Sequence, residues 1–247
     1  MLRGTNHPVP ADLLFLHVDL SVVPDDYLGL ASRYPVAING RVEDIRKTRV
    51  SEQLVSEQDD WDGPVIVKSV LNYGGEPELR LGSPRILRLT RAAGVFARVH
   101  HRWRGSVIQR SSQPYRIYDR VGLVPPELRE DPSFVIERFL PEIEGGRFRL
   151  RVYQFLGDRS TCRRLASTDP IVKTGNTLHS EPIEPHPIVE TWRKSLGLDY
   201  GKLDYVVHDG TPILLDANKT TGAATVSTPE RNARRRHIAQ GIESYLR

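Results

Sequence analysis

The chain has 247 residues, a net charge of +4 and a pI near 9.3, with 38% hydrophobic residues. This length suffices for one compact unit with a large core or for two to three small lobes. The single cysteine, Cys162, excludes a disulfide framework, and no apolar run has the length of a membrane span. We therefore expect a cytoplasmic protein without a membrane partner. The basic charge also suits enzymes that bind anionic substrates, so nucleic acid is not the expected partner.

The N-terminal residues lack the pattern of a secretory signal and predict a short α/β region. Residues 12–20 predict an apolar strand, residues 24–32 a short helix, and residues 36–39 a second strand. Residues 42–57 predict a helix that leads into the next part of the chain.

A strand predicted at residues 65–67 ends in Lys68, and a glycine turn follows at residues 72–76. Glycines such as Gly74 and Gly75 let backbone N–H groups approach phosphate oxygens closely, and a lysine adds a point charge. Many ordinary hairpins also carry a Gly-Gly turn, so this pattern gains weight only together with others.

Residues 80–120 are rich in arginine and predict no clear element. His100 and His101 lie there, close to Trp103. Adjacent side chains on a strand point to opposite faces, so we do not expect this histidine pair to bind a metal. The region receives no assigned role.

Residues 134–158 predict two strands separated by a glycine pair. The first strand ends in Glu137-Arg138-Phe139-Leu140, and the second carries Arg147, Arg149 and Arg151 at every second position. Alternate residues of a strand share one face. Three arginines in a lobe interior need anionic partners, whereas an exposed strand face would leave them solvated.

Two further segments lie between these strands and the C-terminal region. Residues 171–176 form a basic loop around Lys173, although an ordinary surface turn fits this pattern almost as well. Residues 187–196 predict a helix that stops at Gly197, with Trp192 on its apolar face and therefore in the core.

Residues 198–222 predict a hairpin, because Asp209-Gly210 is a strong turn signal between two apolar strands. The hairpin would place Asp204 and Asp216 on neighbouring strands, with Asn218 on the face of Asp216. Such hard oxygen ligands suit Mg²⁺ bound to phosphates. The alternative is that Asp216 and Asn218 merely end a strand.

The C-terminal residues predict a helix that starts at Thr228-Pro229-Glu230 and carries Ile238, Ile242 and Leu246 on one face. The basic run within it predicts a solvated helix surface on the other faces, rather than a site for an anion or RNA. Its members are Arg231, Arg234, Arg235 and Arg236.

Three stretches in this order resemble the ATP-grasp superfamily, which includes D-alanine–D-alanine ligase and glutathione synthetase. They are PVIVKS…NYGGE, then VIERFL…GG…RVYQFLGD, then GLDYGKLDYVVHDGTPILLDAN, and together they cover roughly residues 44–222. The resemblance implies an α+β fold with two lobes that grip ATP and Mg²⁺. It divides the chain into a short α/β region at 1–58, a small lobe at 59–138 and a large lobe at 139–247.

The resemblance also implies roles for individual residues. Lys68 corresponds to a lysine that contacts the α-phosphate, and Lys47, or its neighbour Arg46, to an earlier phosphate-contacting residue. The turn of Gly74 and Gly75 would cover the phosphates. The adenine edge would be read by the backbone of the hinge strand, at Glu137, Phe139 and Leu140. Glu144, with Glu142 as its rival, corresponds to the ribose-binding acid.

The resemblance assigns catalysis and metal binding to residues in the later part of the chain. Arg151 resembles the arginine that stabilises the transferring phosphoryl group, with ATP phosphates and a substrate carboxylate as the anions for its strand face. Lys173 occupies the place of a basic loop near the acyl phosphate. The implied Mg²⁺ ligands are Asp204, Asp216 and Asn218.

Two departures from the family pattern affect the metal site. Asp216 stands where a longer glutamate is usual, and Lys219-Thr220-Thr221-Gly222 replaces a small loop that contains proline. The number of Mg²⁺ ions, one or two, therefore stays open.

The resemblance implies an ATP-dependent carboxylate–amine ligase that forms an amide bond through an acyl phosphate. Two alternatives remain: an ATP-grasp kinase that phosphorylates a hydroxyl, and a non-catalytic nucleotide-binding protein. Small-molecule or peptide carboxylates and amines are the expected substrates, and their identity is open. The oligomeric state is open as well, a homo-oligomer included.

Overall fold

The computed structural model describes residues 4–56, 58–81, 115–221 and 228–246. This part of the chain combines helices with sheets of two, three and six strands, which confirms the α+β class. No helix in it has both the length and the apolarity needed to cross a membrane. Most of the arginine-rich region, with His100, His101 and Trp103, lies outside the described residues.

The chain forms two compact units. The large unit contains Met1–Ile45, Arg49–Glu52 and Leu140–Arg247, and the small unit contains Arg46–Thr48 and Gln53–Phe139. The N-terminal region thus groups with the C-terminal part of the chain. The division at 1–58, 59–138 and 139–247 stays a prediction about domains.

The N-terminal region consists of short elements, which are β1 (Leu13–Phe15), α1 (Asp25–Ala31), β2 (Val36–Ile38) and α2 (Lys47–Val50). β1 and β2 pair in parallel. Two aspartates in the first turn of α1 suit the positive end of the helix dipole. The predicted strand at 12–20 is shorter than expected, because β2 offers only three residues to pair with. Leu16, Val18 and Leu20 are nevertheless buried in a local core.

The small unit is built on a three-stranded antiparallel sheet in the order β4-β3-β5. Its elements are β3 (Val65–Ser69), α3 (Glu76–Leu81), β4 (Arg116–Tyr118), α4 (Pro126–Arg129) and β5 (Phe134–Arg138). Val65, Val67 and Val124 form its buried core. The predicted strand before Lys68 is confirmed.

The helix predicted at residues 42–57 is wrong except for α2. The Gln53 carbonyl accepts a hydrogen bond from the Arg138 amide, and the Val55 amide donates to the Ile136 carbonyl. These bonds hold residues 53–55 extended beside β5. Pairing with a strand far along the chain therefore overrides the local helical pattern.

The large unit contains a sheet in the order β11-β10-β7-β8-β9, with β6 paired to the start of β7. All neighbours in it are antiparallel. The strands are β6 (Glu142–Glu144), β7 (Arg147–Leu156), β8 (Arg159–Ser167), β9 (His179–Pro182), β10 (Tyr200–His208) and β11 (Thr211–Asn218).

One face of this sheet forms the main core. We call it the core face, defined by Tyr153, Leu203, Tyr205 and Ala217, which are all buried. α5 (Ile188–Ser195) packs Trp192 into the same cluster, as predicted, and ends before Gly197, whose φ is +65°. A residue with positive φ at the helix end is the usual place for glycine.

The last helix is α6 (Pro229–Ala239), followed by a 3₁₀ segment, Gln240–Tyr245. The Thr228 hydroxyl caps α6 by accepting a hydrogen bond from the Arg231 amide at 3.3 Å, as the sequence predicts. The predicted apolar face is wrong at Leu246, which is 64% exposed.

Candidate active site

The β10–β11 hairpin turns at Asp209 and Gly210, whose φ angles are +48° and +81°. Two left-handed residues form the turn type that Asp-Gly favours between antiparallel strands. The register from this turn continues to the pair of Tyr205 with Leu214, and a bulge between Asp204 and Tyr205 then places Asp204 directly opposite Asp216. The predicted hairpin and the predicted neighbourhood of the two carboxylates are both confirmed.

Asn218 pairs with Lys202 in the next row of the hairpin. Because alternate residues share a face, Lys202, Asp204, Asp216 and Asn218 lie on one side of the sheet, which we call the carboxylate face. Asn218 Nδ2 donates to Asp216 Oδ2 at 3.2 Å, and Lys202 Nζ donates to Asp204 Oδ2 at 2.7 Å. The structure thus brings the three predicted metal ligands together.

Lys202 is a residue of this cluster that the sequence analysis missed. The sequence could have identified Lys202 from its position two residues before Asp204, because alternate residues of a strand lie on the same face of the sheet. The lysine holds one oxygen of the carboxylate and compensates part of the charge of the two acids.

The donor set of the carboxylate face fits a hard divalent cation such as Mg²⁺, which prefers carboxylate and amide oxygens. Within the described ranges, no three His, Cys, Asp or Glu side chains form a metal cluster. The amide of Asn218 is therefore needed to complete the set with Asp204 and Asp216. Lys219 follows directly and is only 2% exposed, which places a buried positive charge beside these ligands.

Arg151 lies on the opposite side of the sheet from these carboxylates. It pairs in register with Tyr205, a core-face residue, and its guanidinium lies 6.0 Å from the centre of the Tyr205 ring. Its Nη2 and Nε donate to Glu142 at 2.8 and 2.9 Å. Burial raises the pKa of Tyr205 to about 12, so its hydroxyl stays neutral.

The alternation of Arg147, Arg149 and Arg151 along one strand is confirmed. Two of these arginines have acidic partners on β6, and the role of Arg151 at the transferring phosphoryl group stays a prediction. Glu142 holds Arg151 and also accepts a hydrogen bond from the Val207 amide at 2.8 Å, while Glu144 pairs with Arg149 at 3.1 Å. The sheet does not bring Arg151 to the metal ligands.

Glu144 is half-exposed and shared between Arg149 and Arg164. Its role as the ribose-binding acid stays a prediction. The same holds for the alternative, Glu142, which is buried and forms an ion pair with Arg151. Lys173 lies in the exposed turn between β8 and β9, where its amide donates to Asn176 Oδ1 at 2.7 Å. Its predicted role also stays a prediction.

In the small unit, Lys68 and Glu137 form a buried ion pair across β3 and β5. Lys68 Nζ lies 2.6 Å from Glu137 Oε2, and the two side chains are 6% and 2% exposed. The other oxygen, Glu137 Oε1, is buried and has no hydrogen-bond partner among the described residues. An unpaired buried acceptor beside a lysine fits a ligand N–H donor, such as the amino group of a purine.

The glycine turn is a tight 3₁₀ segment that leads into α3. Tyr73, Gly74 and Gly75 have φ angles of +52°, +65° and +78°. The turn is joined to Lys47, whose Nζ donates to Asn72 Oδ1 at 2.5 Å and which is 2% exposed. The structure therefore brings Lys47 to the predicted glycine turn.

The hinge segment directly follows β5. The Phe139 amide donates to the Pro64 carbonyl at 2.8 Å, so this N–H is already used within the small unit. Leu140 is half-buried and begins the last part of the large unit. Glu137 adds a buried side-chain acceptor, Oε1, to the three predicted adenine contacts.

No protein-family model matches the sequence, and no curated protein matches it. Solved structures do match at low identity. A D-alanine–D-alanine ligase from Bacillus anthracis is 13% identical, with a TM-score of 0.40 over 81% of this chain and 61% of that chain. The ATP-grasp ligase PsnB, complexed with a minimal precursor, is 14% identical, with a TM-score of 0.38 over 72% of this chain and 48% of that chain.

A third match is a RiPP-associated ATP-grasp ligase from Chryseobacterium gregarium, in complex with ADP and a leader and core peptide. It is 12% identical, with a TM-score of 0.28 over 36% of this chain and 29% of that chain. The chain spans less than two thirds of the length of each of these structures. All three of these structures are described as ligases, and two of them as ATP-grasp ligases.

Proposed function

We propose that this chain is an ATP-grasp enzyme that joins a carboxylate to an amine at the expense of ATP, through an acyl phosphate. One observation carries the proposal: the hairpin register that sets Asp204 opposite Asp216, with Asn218 on the same face. Two acids side by side repel each other unless a cation lies between them or nearby. A Mg²⁺ site explains why the pair is present.

Each unit would contribute its own residues. On the large unit, Asp204, Asp216 and Asn218 would hold Mg²⁺. On the small unit, Lys47 and the backbone of the glycine turn would bind phosphate oxygens, and Glu137 Oε1 would accept a hydrogen bond from the adenine amino group. Bound Mg·ATP supplies the electrophilic γ-phosphoryl group that the substrate carboxylate attacks.

Lys68 is part of this proposal in a modified form. Its ammonium group is paired with Glu137 and fully buried, so its first task is to hold the carboxylate that faces the nucleotide base. Removal of one partner of a buried ion pair leaves the other charge uncompensated. The contact of Lys68 with the α-phosphate would require its ammonium group to reach past Glu137.

Calorimetry with a non-hydrolysable ATP analogue tests the binding part of the proposal. We expect binding that depends on Mg²⁺ and that Asp216→Asn abolishes, with Asp209→Asn as the matched control in the hairpin turn. Absence of binding at millimolar analogue in a folded sample would overturn the proposal.

ADP release with pools of carboxylic acids and amines tests the chemistry. A ligase turns over only when both an acid and an amine are present. Turnover with a hydroxyl compound and no amine would instead identify a kinase, and nucleotide binding without any turnover would identify a non-catalytic protein.

A further inference from the structure

A segment of the N-terminal region lies against the open end of the hairpin that carries the predicted metal ligands. Phe15 is the last residue of β1, and its ring meets the Tyr200 ring edge to face, with the two centroids 5.1 Å apart. Asp19 accepts a hydrogen bond from the Thr220 hydroxyl, 201 positions away in the sequence. All four residues belong to the large unit. The two contacts bring this segment to the end of the hairpin.

Every second side chain of the segment is on the side of these contacts. Leu16 and Val18 are buried in the local core of the N-terminal region, whereas His17 and Asp19 are exposed. Alternate residues of an extended chain share one side, so His17 lies on the side of Phe15 and Asp19. The ring centroids of His17 and Phe15 are 6.2 Å apart. An exposed imidazole is therefore placed between two residues that both contact the end of the hairpin.

This end of the hairpin is close to the predicted metal ligands. Tyr200 lies four residues before Asp204 in β10, and therefore on the carboxylate face. Thr220 follows two residues after Asn218, and two residues of chain span at most about 7 Å. The carboxylate of Asp19, in contact with Thr220, thus lies within roughly 12 Å of the Asn218 Cα atom.

Asn39 fixes the N-terminal region to β10 and so keeps these side chains together. Its Oδ1 accepts hydrogen bonds from the Asp199 and Tyr200 amides, both at 2.9 Å, and its Nδ2 donates to the Tyr200 carbonyl at 2.9 Å. Its own amide donates to Asp199 Oδ2 at 2.8 Å. Asn39 is 1% exposed, so water does not compete for these bonds. The arrangement around Tyr200 is therefore formed before any ligand binds.

The chemistry of this group suits an ammonium ion. Among the described residues Asp19 forms no ion pair, and the Thr220 hydroxyl is its hydrogen-bond donor. An ionised carboxylate has about four acceptor sites, and a neutral imidazole such as that of His17 has one more. The rings of Phe15 and Tyr200 can attract a cation that comes within about 6 Å of their centres. A carboxylate, an imidazole and two aromatic rings together offer acceptors and negative charge, but no competing cation.

We infer that Asp19 and His17, with the rings of Phe15 and Tyr200, bind the amine substrate in its ammonium form beside the metal ligands. This inference rests on the proposed function, because that function requires an amine to reach an acyl phosphate formed at those ligands. The substrate class that it names is a primary amine whose nitrogen is next to an apolar or aromatic group, since the rings would pack against that group.

Two probes that differ in one charge test this inference. Benzylamine is a cation at neutral pH, whereas benzyl alcohol is neutral and has the same ring and nearly the same size. For the wild type we expect benzylamine to bind about fivefold or more tightly than benzyl alcohol in NMR titrations. Equal binding of the two probes, or no binding of benzylamine at tens of millimolar, would overturn the inference.

Two variants locate the preference for the cation. Asp19→Asn keeps an acceptor for the Thr220 hydroxyl and removes the charge, so it should abolish the preference. Asp26→Asn is the matched control, because Asp26 is also exposed and also accepts a hydrogen bond from a threonine hydroxyl, that of Thr5 at 3.3 Å. The control should retain the preference. A preference that survives Asp19→Asn, or that both variants lose equally, would contradict the assignment.

Two further variants separate a binding role from a structural one. Asp19→Glu keeps the charge at an exposed position and should restore the preference at least in part. Loss of the preference in both Asp19→Asn and Asp19→Glu, with a lower Tm in each, would show that Asp19 only holds the hairpin end, and would overturn the inference. Phe15→Leu keeps an apolar side chain without an aromatic face and should reduce the preference. An unchanged preference in this variant would remove the rings from the proposed site.

Mg²⁺-dependent binding of the ATP analogue is measured on the same wild-type samples. Normal nucleotide binding without a preference for benzylamine would overturn this inference alone. A preference for benzylamine in a folded protein that binds no nucleotide would overturn the proposed function.

Discussion

At the scale of single residues, the central feature is a pair of like charges on neighbouring strands. Asp204 and Asp216 are directly opposite each other, and Lys202 forms an ion pair with Asp204 at 2.7 Å. Like charges in this position destabilise an antiparallel pair. In the proposed function a divalent cation would offset this repulsion, because it would attract both acids and the adjacent amide oxygen of Asn218.

We expect Asp216→Asn to abolish turnover and Mg²⁺-dependent nucleotide binding. In the absence of Mg²⁺ the same change should leave the fold intact and raise its stability by up to about 1 kcal/mol, because the cross-strand repulsion is removed. Chemical denaturation with and without Mg²⁺, together with ADP release, measures both effects.

Asp209→Asn is the control for this change. Asp209 is an exposed turn residue with positive φ, a conformation that Asn also adopts readily. If the two variants lost turnover equally, the carboxylate pair would not be a metal site.

Arg151→Lys separates a structural from a catalytic role. A lysine cannot make the two parallel hydrogen bonds to Glu142, so we expect a loss of about 1–3 kcal/mol in the free energy of unfolding. Turnover per folded molecule should be retained, because Arg151 is on the core face. Denaturant titration and ADP release measure the two quantities. A fall in turnover of about 10² without a loss of stability would support the phosphoryl contact that the resemblance implies.

At the scale of elements, the C-terminal segment holds α6 in place through close backbone contacts. A Cβ atom at Gly241 would lie 1.8 Å from the Leu156 carbonyl oxygen, and one at Gly157 would lie 2.3 Å from the Gly241 carbonyl oxygen. The absence of a side chain at Gly241 lets the 3₁₀ segment pack directly on the β7–β8 turn. This contact positions α6 along β8.

We therefore expect Gly241→Ala to destabilise the protein by about 1–3 kcal/mol, because the added methyl group forces the two backbones apart. Gly29→Ala is the control: Gly29 lies in α1, nothing is within 4 Å of its Cβ position, and alanine favours a helix. Equal loss of stability in both variants would contradict the packing argument. Thermal unfolding measures the difference.

At the scale of the whole molecule, nucleotide binding should appear as added stability. A ligand that binds only the folded state stabilises it by about 2.7 kcal/mol at a hundredfold excess over its dissociation constant. We expect Mg²⁺ with the ATP analogue to raise the Tm of the wild type, and to do so far less for Asp216→Asn. Differential scanning calorimetry provides the measurement, and an equal rise without Mg²⁺ would argue against the metal ligands.

The sequence by itself determined the features that depend on neighbouring residues. The Asp209-Gly210 turn, the Thr228 cap and the end of α5 at Gly197 follow from local preferences for backbone conformation. The pairing of Asp204 with Asp216 does not follow from the turn alone. The register next to the turn would set Asp204 opposite Leu215, and the bulge between Asp204 and Tyr205 brings Asp216 there instead.

Only the tertiary structure decided which distant charges meet. Lys68 and Glu137 are 69 residues apart in sequence, and Glu142 reaches Arg151 because β6 pairs with β7. The packing of the 3₁₀ segment against the end of β7 likewise joins Gly241 to Leu156, which is far from it in the sequence. The sequence gives the charge of each side chain. Which opposite charge lies beside it depends on the pairing of strands that are distant in the sequence, and local sequence patterns do not determine that pairing.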